Sequence, residues 1–260
     1  MKTNTLGIIL SAMLLTAATL KAQEYKIPVQ NTTDGKLSLV NFMGDLPIEG
    51  YSGSEIIITT ANAEKVTPPE RAKGLKPIYP TGTDNTGIGL WVEKNGNQVT
   101  VQCLLPITKR GEYKIKVPDN FALKIESGCE RNNKISIENM KNEIEIKNCF
   151  PVKLKNVTGP LVISTISGDI DVVYSSVTTD KPVSLSTVSG NIDITLPEKT
   201  PLNLEMKTLT GTVYSDFDIA AEKNGMKQIG GGTIKSALNG GGTDFKAVSV
   251  SGNIYLRKGK

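Results

Sequence analysis

The stretch STVSGNIDITLP, Ser186–Pro197, reads as a strand, a tight corner at Ser189 and Gly190, and a second strand. Nearly the same words stand 22 residues earlier as STISGDIDVV, Ser164–Val173, and the chain ends on VSVSGNIYL, Val248–Leu256. Lined up on these corners, the sequence gives a turn column of Gly128, Asn148, Gly168, Gly190, Gly211 and Gly252, at intervals of 20, 20, 22, 21 and 41 residues. A repeat of this length is too small to bury a core alone, so its units must stack. The last interval is about two repeats.

Within each unit the apolar residues alternate with a period of two, which is the signature of strands. After the corner, Ile135 and Ile137, Val152 and Leu154, Ile170 and Val172, Ile192 and Ile194, Val213, and Ile254 and Leu256 read as core. Ser136, Lys153, Asp171, Asp193, Tyr214 and Tyr255 lie between them and face water. Before the corner, Leu123 and Ile125, Ile144 and Ile146, Ile163 and Ile166, Leu185 and Val188, Met206 and Leu209, and Val248 and Val250 read as core in the same way. The expected fold is therefore all-β, a single-stranded parallel β-helix with coils of about 20 residues. An antiparallel sandwich would also show many short strands, but its hairpins do not demand one corner residue at a fixed interval. Gly or Asn in the turn column predicts a left-handed backbone there. Pro151, Pro160, Pro182 and Pro201 suit the first residues of strands at other corners.

The N-terminus reads differently. Residues 1–22 carry an early Lys, an apolar run from Leu6 to Leu15 and small residues leading to Ala22, the layout of a secretory signal peptide. That run is short for a membrane span, and none follows it, so the expected mature chain starts near Gln23 without a membrane span. Cleavage would remove Lys2 and Lys21 and lower the formal charge from +4 to +2, with both signs interspersed. This is no nucleic-acid footprint. There is no His, which excludes His general bases and Ser-His-Asp triads. No cofactor motif and no metal-ligand set stand out. The GGG runs near the C-terminus lack the Lys and Ser/Thr of a phosphate loop.

Residues 23–260 read as one β-helix domain. Its first part, 23–120, is less regular and holds a Pro- and Gly-rich loop over 61–87, in which PPERAKGL could form one helical turn. Residues 121–260 are regular apart from an insertion near 218–232. The VPDN before a strand, the repeated SG[DN]I corners and the closing LNGGGTDFKAVSVSGNIYLRK resemble an exported bacterial family of "putative adhesins" of unknown function. The resemblance covers most of residues 36–260. It implies an exported protein with a right-handed β-helix and an adhesive role, and its motifs, being corners and not chemistry, bear on the fold far more than on the function.

Three features bear on function. Asp171 and Asp193 hold the same outward position in successive coils, with Asp169 beside them; rungs about 4.8 Å apart would set the carboxylates side by side. Paired carboxyls serve glycosidases, and carboxylate clusters hold cations, but outward strand positions are often simply charged and Lys153 can offset Asp171. Tyr214 and Tyr255 continue the outward column, and Tyr174 lies close to it, as aromatics that grip sugars or proteins do. Cys129 and Cys149 follow the corner in successive coils and should stack within disulfide reach, leaving Cys103 free. The reading is an exported, non-enzymatic, adhesin-like binding or structural protein of the periplasm, cell surface or medium. Its partner would be a protein or glycan of the cell envelope or a host surface. The alternatives are a polysaccharide-active enzyme using Asp171 and Asp193, and a periplasmic envelope scaffold.

Overall fold

The computed structural model describes residues 23–61, 69–75, 82–131, 133–178, 181–219 and 231–259. The expected signal peptide, residues 62–68 and 76–81 of the loop over 61–87, and most of the insertion near 218–232 lie outside these residues. In the N-terminal part the strands are β1 (Gln23–Pro28), β2 (Lys36–Val40), β3 (Leu46–Tyr51), β4 (Glu55–Thr60), β5 (Leu90–Asn95), β6 (Gln98–Cys103) and β7 (Tyr113–Pro118). The middle holds β8 (Ala122–Glu126), β9 (Ile135–Glu138), β10 (Ile144–Lys147), β11 (Val152–Val157), β12 (Leu161–Thr165) and β13 (Ile170–Tyr174). The C-terminal part holds β14 (Val183–Ser189), β15 (Ile192–Leu196), β16 (Leu202–Thr208), β17 (Val213–Ser215), β18 (Gly232–Leu238), β19 (Thr243–Ser251) and β20 (Ile254–Lys258). Among the described residues the helical segments are two short 3-10 turns, Glu70–Ala72 and Cys129–Arg131, and the rest of the regular structure is β. Among the described residues no helix is long and apolar enough to cross a membrane.

The strands form two ten-stranded sheets. The first runs β1, β4, β7, β3, β9, β11, β13, β15, β20, β17, and the second runs β18, β16, β19, β14, β12, β10, β8, β2, β6, β5. Each corner of the turn column joins a strand of the second sheet to one of the first, as β12 to β13 or β14 to β15. Pairing through the middle is parallel and in register; Ile170 lies beside Ile192 and Ile163 beside Leu185. Inward side chains of both sheets, such as Leu154, Ile163, Leu185 and Ile194, are fully buried and make one continuous core. Pro151, Pro160, Pro182 and Pro201 each stand immediately before a strand.

Two expectations are corrected here. The sheets are mixed, so the simple picture of one strand type winding in parallel does not describe the whole. The pairs β1 with β4, β4 with β7, β5 with β6, and β16 with β18 are antiparallel and close the two ends. Nor do the coils stack in chain order. The coil of β19 and β20 is inserted between that of β14 and β15 and that of β16 and β17; the coil of β2 and β3 likewise sits between those of β6/β7 and β8/β9. The 41-residue interval is thus a detour: the chain places β16 and β17 one coil away and returns to fill the gap.

The second correction concerns the turn column. None of Gly128, Asn148, Gly168, Gly190, Gly211 and Gly252 has a positive φ; left-handed residues lie elsewhere, at Asn139 (φ 61°) and Asn156 (φ 54°) for instance. Glycine is required by close approach between coils instead. A Cβ on Gly190 would lie 2.4 Å from the carbonyl oxygen of Gly168, one on Gly252 2.0 Å from that of Gly190, and one on Gly211 2.0 Å from that of Gly252. Gly168 packs as tightly on the backbone of Phe150. At Gly128 the nearest atoms to such a Cβ are those of the Glu130 side chain, and there the Cys129–Cys149 disulfide spans the two coils with Cα atoms 5.0 Å apart. Cys103 is free and buried.

Candidate functional site

The SG[DN]I motif builds its corner from two hydrogen-bond ladders. Three residues before each glycine an inward hydroxyl is buried: Thr165, Thr187, Ser249 and Thr208. Thr165 and Thr187 Oγ1 donate to the Gly168 carbonyl (2.8 and 3.1 Å), Ser249 Oγ to that of Gly190 (2.9 Å), and Thr208 Oγ1 to that of Gly252 (2.9 Å). Carbonyls left bare at a corner would each cost a desolvation penalty, so the hydroxyls are needed where the strands end. One residue after the glycine, Asp169 Oδ1 accepts the backbone N–H of Asn191 (2.7 Å), Asn191 Oδ1 that of Asn253 (2.9 Å), and Asn253 Oδ1 that of Thr212 (2.9 Å). Asp169 thereby serves as a rung of the corner.

The buried hydroxyls take the next inward position in the alternation of the preceding strands, which puts the residue after each of them outside. Ile166, Val188, Val250 and Leu209, expected in the core, are instead 48%, 50%, 40% and 63% exposed. The alternation puts Ala247 and Ser249 inside and leaves Val248 half-buried on the outer face. The four exposed residues occupy one corner position in neighbouring coils and form an apolar ladder. Ser167, Ser189, Ser251 and Thr210 follow them in the chain, so the strip carries no charge.

On the other side of the corner the outward column of the first sheet runs in register as Lys153, Asp171, Asp193, Tyr255 and Tyr214. Tyr214 and Tyr255 are stacked, with centroids 5.4 Å apart and planes 10° from parallel. Arg257, which no sequence motif marks, grips Asp193 through two parallel bonds, Nε to Oδ1 at 2.8 Å and Nη2 to Oδ2 at 2.9 Å, and lies 5.5 Å from the Tyr255 ring centre. Both Asp193 oxygens are engaged by this fork. The Asp171 carboxyl is pushed above the usual carboxylate range by burial first, then by Asp193 and Asp169, with Lys153 opposing. Among the described residues no group of three or more acidic or cysteine side chains could hold a metal ion. Tyr174 is not part of the column. It is buried against Phe245, at 6.2 Å between ring centres, and its hydroxyl has no partner among the described residues.

The surface that results is a ridge over the four coils of the SG[DN]I corners, an uncharged apolar ladder on one flank and a column of Asp, Arg and stacked Tyr on the other. Its backbone is already ordered in two hydrogen-bonded sheets, so contact with a partner has side-chain freedom to order but no strand to form. The apolar flank had a sequence signal: a hydroxyl stands three residues before each of the last four corner glycines.

Comparison with known proteins follows the fold. No curated protein sequence matches the chain. Two crystal structures cover 92% of it. One is described as a "putative cell adhesion protein" from Clostridium sporogenes (14% identity, 100% of that chain covered, TM-score 0.45). The other is a "putative adhesin" from Bacteroides fragilis (12% identity, 97% of that chain covered, TM-score 0.42). The family model described as Toastrack DUF4097 matches residues 108–257, more than half of the 260 residues. The chain belongs to the Toastrack DUF4097 family.

Proposed function

We propose that the chain is an exported, non-enzymatic, adhesin-like protein that binds a protein or glycan of the cell envelope or a host surface through the corner ridge. In this reading the mature protein begins near Gln23 and its parallel middle winds as a right-handed β-helix that carries the ridge. The observation behind the proposal is the ladder of Ile166, Val188, Val250 and Leu209, four large apolar side chains in line and exposed. Single exposed apolar residues are ordinary, whereas an aligned run rimmed by polar groups marks a contact surface. A polysaccharide-active enzyme is the weaker reading, because Arg257 occupies the second carboxylate of the Asp171 and Asp193 pair.

The test uses residues 23–260 on a glycan array and on immobilised envelope fractions, beside the double variant Val188→Asp and Val250→Asp. Saturable binding without turnover, lost in the double variant while its melting temperature holds, is the expected outcome. Glycan cleavage by the wild type that disappears in Asp193→Asn would replace this reading with the enzyme. Cell fractionation and surface protease shaving then report the location directly.

A further inference from the structure

The two sheets do not end flush. At the C-terminal end the second sheet continues one strand past the coil of β16 and β17, to β18, while the first stops at β17. Among the described residues the first sheet is therefore one strand short, and a crevice of about 310 Å³ lies at this step, lined by Gly211, Thr212 and Val213 on one side and Gly232, Thr233 and Ile234 on the other. The backbone bonds from Ile254 N to Thr212 O and from Asp216 N to Leu256 O show that Thr212 and Asp216 face β20. By the alternation of a parallel ladder, Val213 and Ser215 turn their N–H and C=O groups away from β20, toward the vacant strand position. No strand lies there among the described residues. Tyr214, 52% exposed, has one ring face stacked on Tyr255 and the other directed at the same vacancy.

The opposite end is stepped too, but closed. There the first sheet extends to β1, whose edge carries Glu24, Lys26 and Pro28, and Lys94 of β5 reaches across to donate to the Pro28 carbonyl. Charge and proline on an edge are how sheets refuse further strands. The C-terminal step has neither: β17 has no charged residue, and Lys235, the one charge of β18, is drawn to Glu205.

We infer that this step is a strand-acceptor site, taking an extended, uncharged segment of a partner protein that pairs with β17 and lays an aromatic side chain on the open face of Tyr214. This is strand addition, in which main-chain bonds give affinity and one side-chain position gives selectivity. The chemistry of the occupant follows from the lining, which is apolar and hydroxyl-bearing without charge, and from the ring stack it would extend. The chain's own residues 220–230, AEKNGMKQ at their centre, are rich in charge and contain Asn-Gly, a composition depleted in strands. The inference uses β17 and not the apolar ladder, so it and the proposed function can fail separately.

The probe is a fluorescein-labelled peptide copying the uncharged Ser251–Leu256, because that sequence already pairs with β17 from the other side and stacks its tyrosine on Tyr214. Its anisotropy should rise saturably with residues 23–260. The same peptide carrying Tyr255→Asp should bind at least about tenfold more weakly, and so should the protein variant Val213→Pro, which lacks the N–H at an edge position where proline is tolerated. No saturable binding, or equal binding of the Tyr255→Asp peptide, overturns the site. Binding that emerges only when residues 220–230 are replaced by a Gly-Ser linker assigns the step to the chain's own segment. Concentration-dependent self-association lost in Val213→Pro assigns it to a second copy. Either result overturns a foreign strand.

Discussion

Gly252→Ala isolates what the turn column does. Gly252 has no positive φ, so the substitution carries no left-handed strain and the whole effect comes from packing between coils. The new methyl would stand 2.0 Å from the oxygen and 2.6 Å from the carbon of the Gly190 carbonyl, both main-chain atoms held in a ladder. Ordinary contact begins near 3.5 Å, so the junction must open by about 1 Å or more. Overpacking of this kind costs about 1–3 kcal/mol. Opening also stretches the bonds from Ser249 Oγ to Gly190 O, Gly190 N to Ser251 O and Asn253 N to Asn191 Oδ1 (2.9, 3.1 and 2.9 Å). Losing one or two of them adds about 0.5–1.5 kcal/mol each. Against this, alanine restricts the unfolded chain and returns about 0.4–1 kcal/mol. The balance is a destabilisation of about 2–4 kcal/mol, read by circular dichroism as a fall in Tm of about 5–15 °C for a domain of this size. Gly96→Ala is the comparison: its φ is +60° and nothing lies within 4 Å of the added carbon, so only the left-handed penalty of about 1–2 kcal/mol applies. A Gly252→Ala protein melting within about 2 °C of wild type would refute the close-approach account of the corner.

The hydroxyl ladder predicts coupling: Thr165→Val and Thr187→Val should each cost under about 1 kcal/mol, because the other hydroxyl still serves the Gly168 carbonyl. The double variant should exceed their sum as that carbonyl is left bare, and strict additivity in urea unfolding would count against the ladder. Asp171 should weaken the fold when ionised, since its folded pKa is raised above the unfolded value of 3.8. Stability from this group therefore rises as pH falls through the folded pKa, and Asp171→Asn should raise Tm at pH 7 but lose that advantage below pH 3.8. An equal gain at both pH values would mean that charge is not the cause. Reduction of Cys129–Cys149, which closes a loop with a sequence separation of 20, should remove about 3 kcal/mol, checked by melting with and without a phosphine reductant. Buried Cys103 should stay unreactive to a thiol reagent until the chain unfolds.

The middle of the molecule was readable because period-two alternation and a fixed interval each depend on neighbours along the chain. Ile135, Leu154, Ile170 and Ile192 are buried as their spacing requires. The corner was readable as a corner but not for its cause, since glycine answers both a left-handed φ and a close approach, and one sequence does not separate them. The strand before the corner differs from its expected phase for a simpler reason: that apolar residues lie inside is a rule that holds only one way. Thr165, Thr187, Ser249 and Thr208 sit inside because the glycine carbonyls need donors, and that demand outranks the transfer of Ile166 or Val188 from water. In the outward column, Arg257 shares a face with Tyr255 by the same alternation, yet its grip on Asp193 spans 64 residues of sequence and has no local trace.

The order of the coils is the part that the sequence could least convey, and its cause lies in the repeat itself. A corner that offers the same glycine, hydroxyl and Asx group in every coil fits any other such corner equally well. Gly252 can meet Gly190 as readily as Gly211 could. What selects among neighbours must then lie outside the motif. In the C-terminal part it is the single antiparallel pair of β16 with β18, which turns the chain back and leaves β19 to enter between β14 and β16. The same move makes the ends unequal. Because the returning chain uses β18 to edge one sheet and supplies no described strand to edge the other, the sheets end unevenly among the described residues, and the position of β17 as the edge of its sheet there follows from the coil order. The step at β17 and the detour of 41 residues are one structural fact seen from two sides.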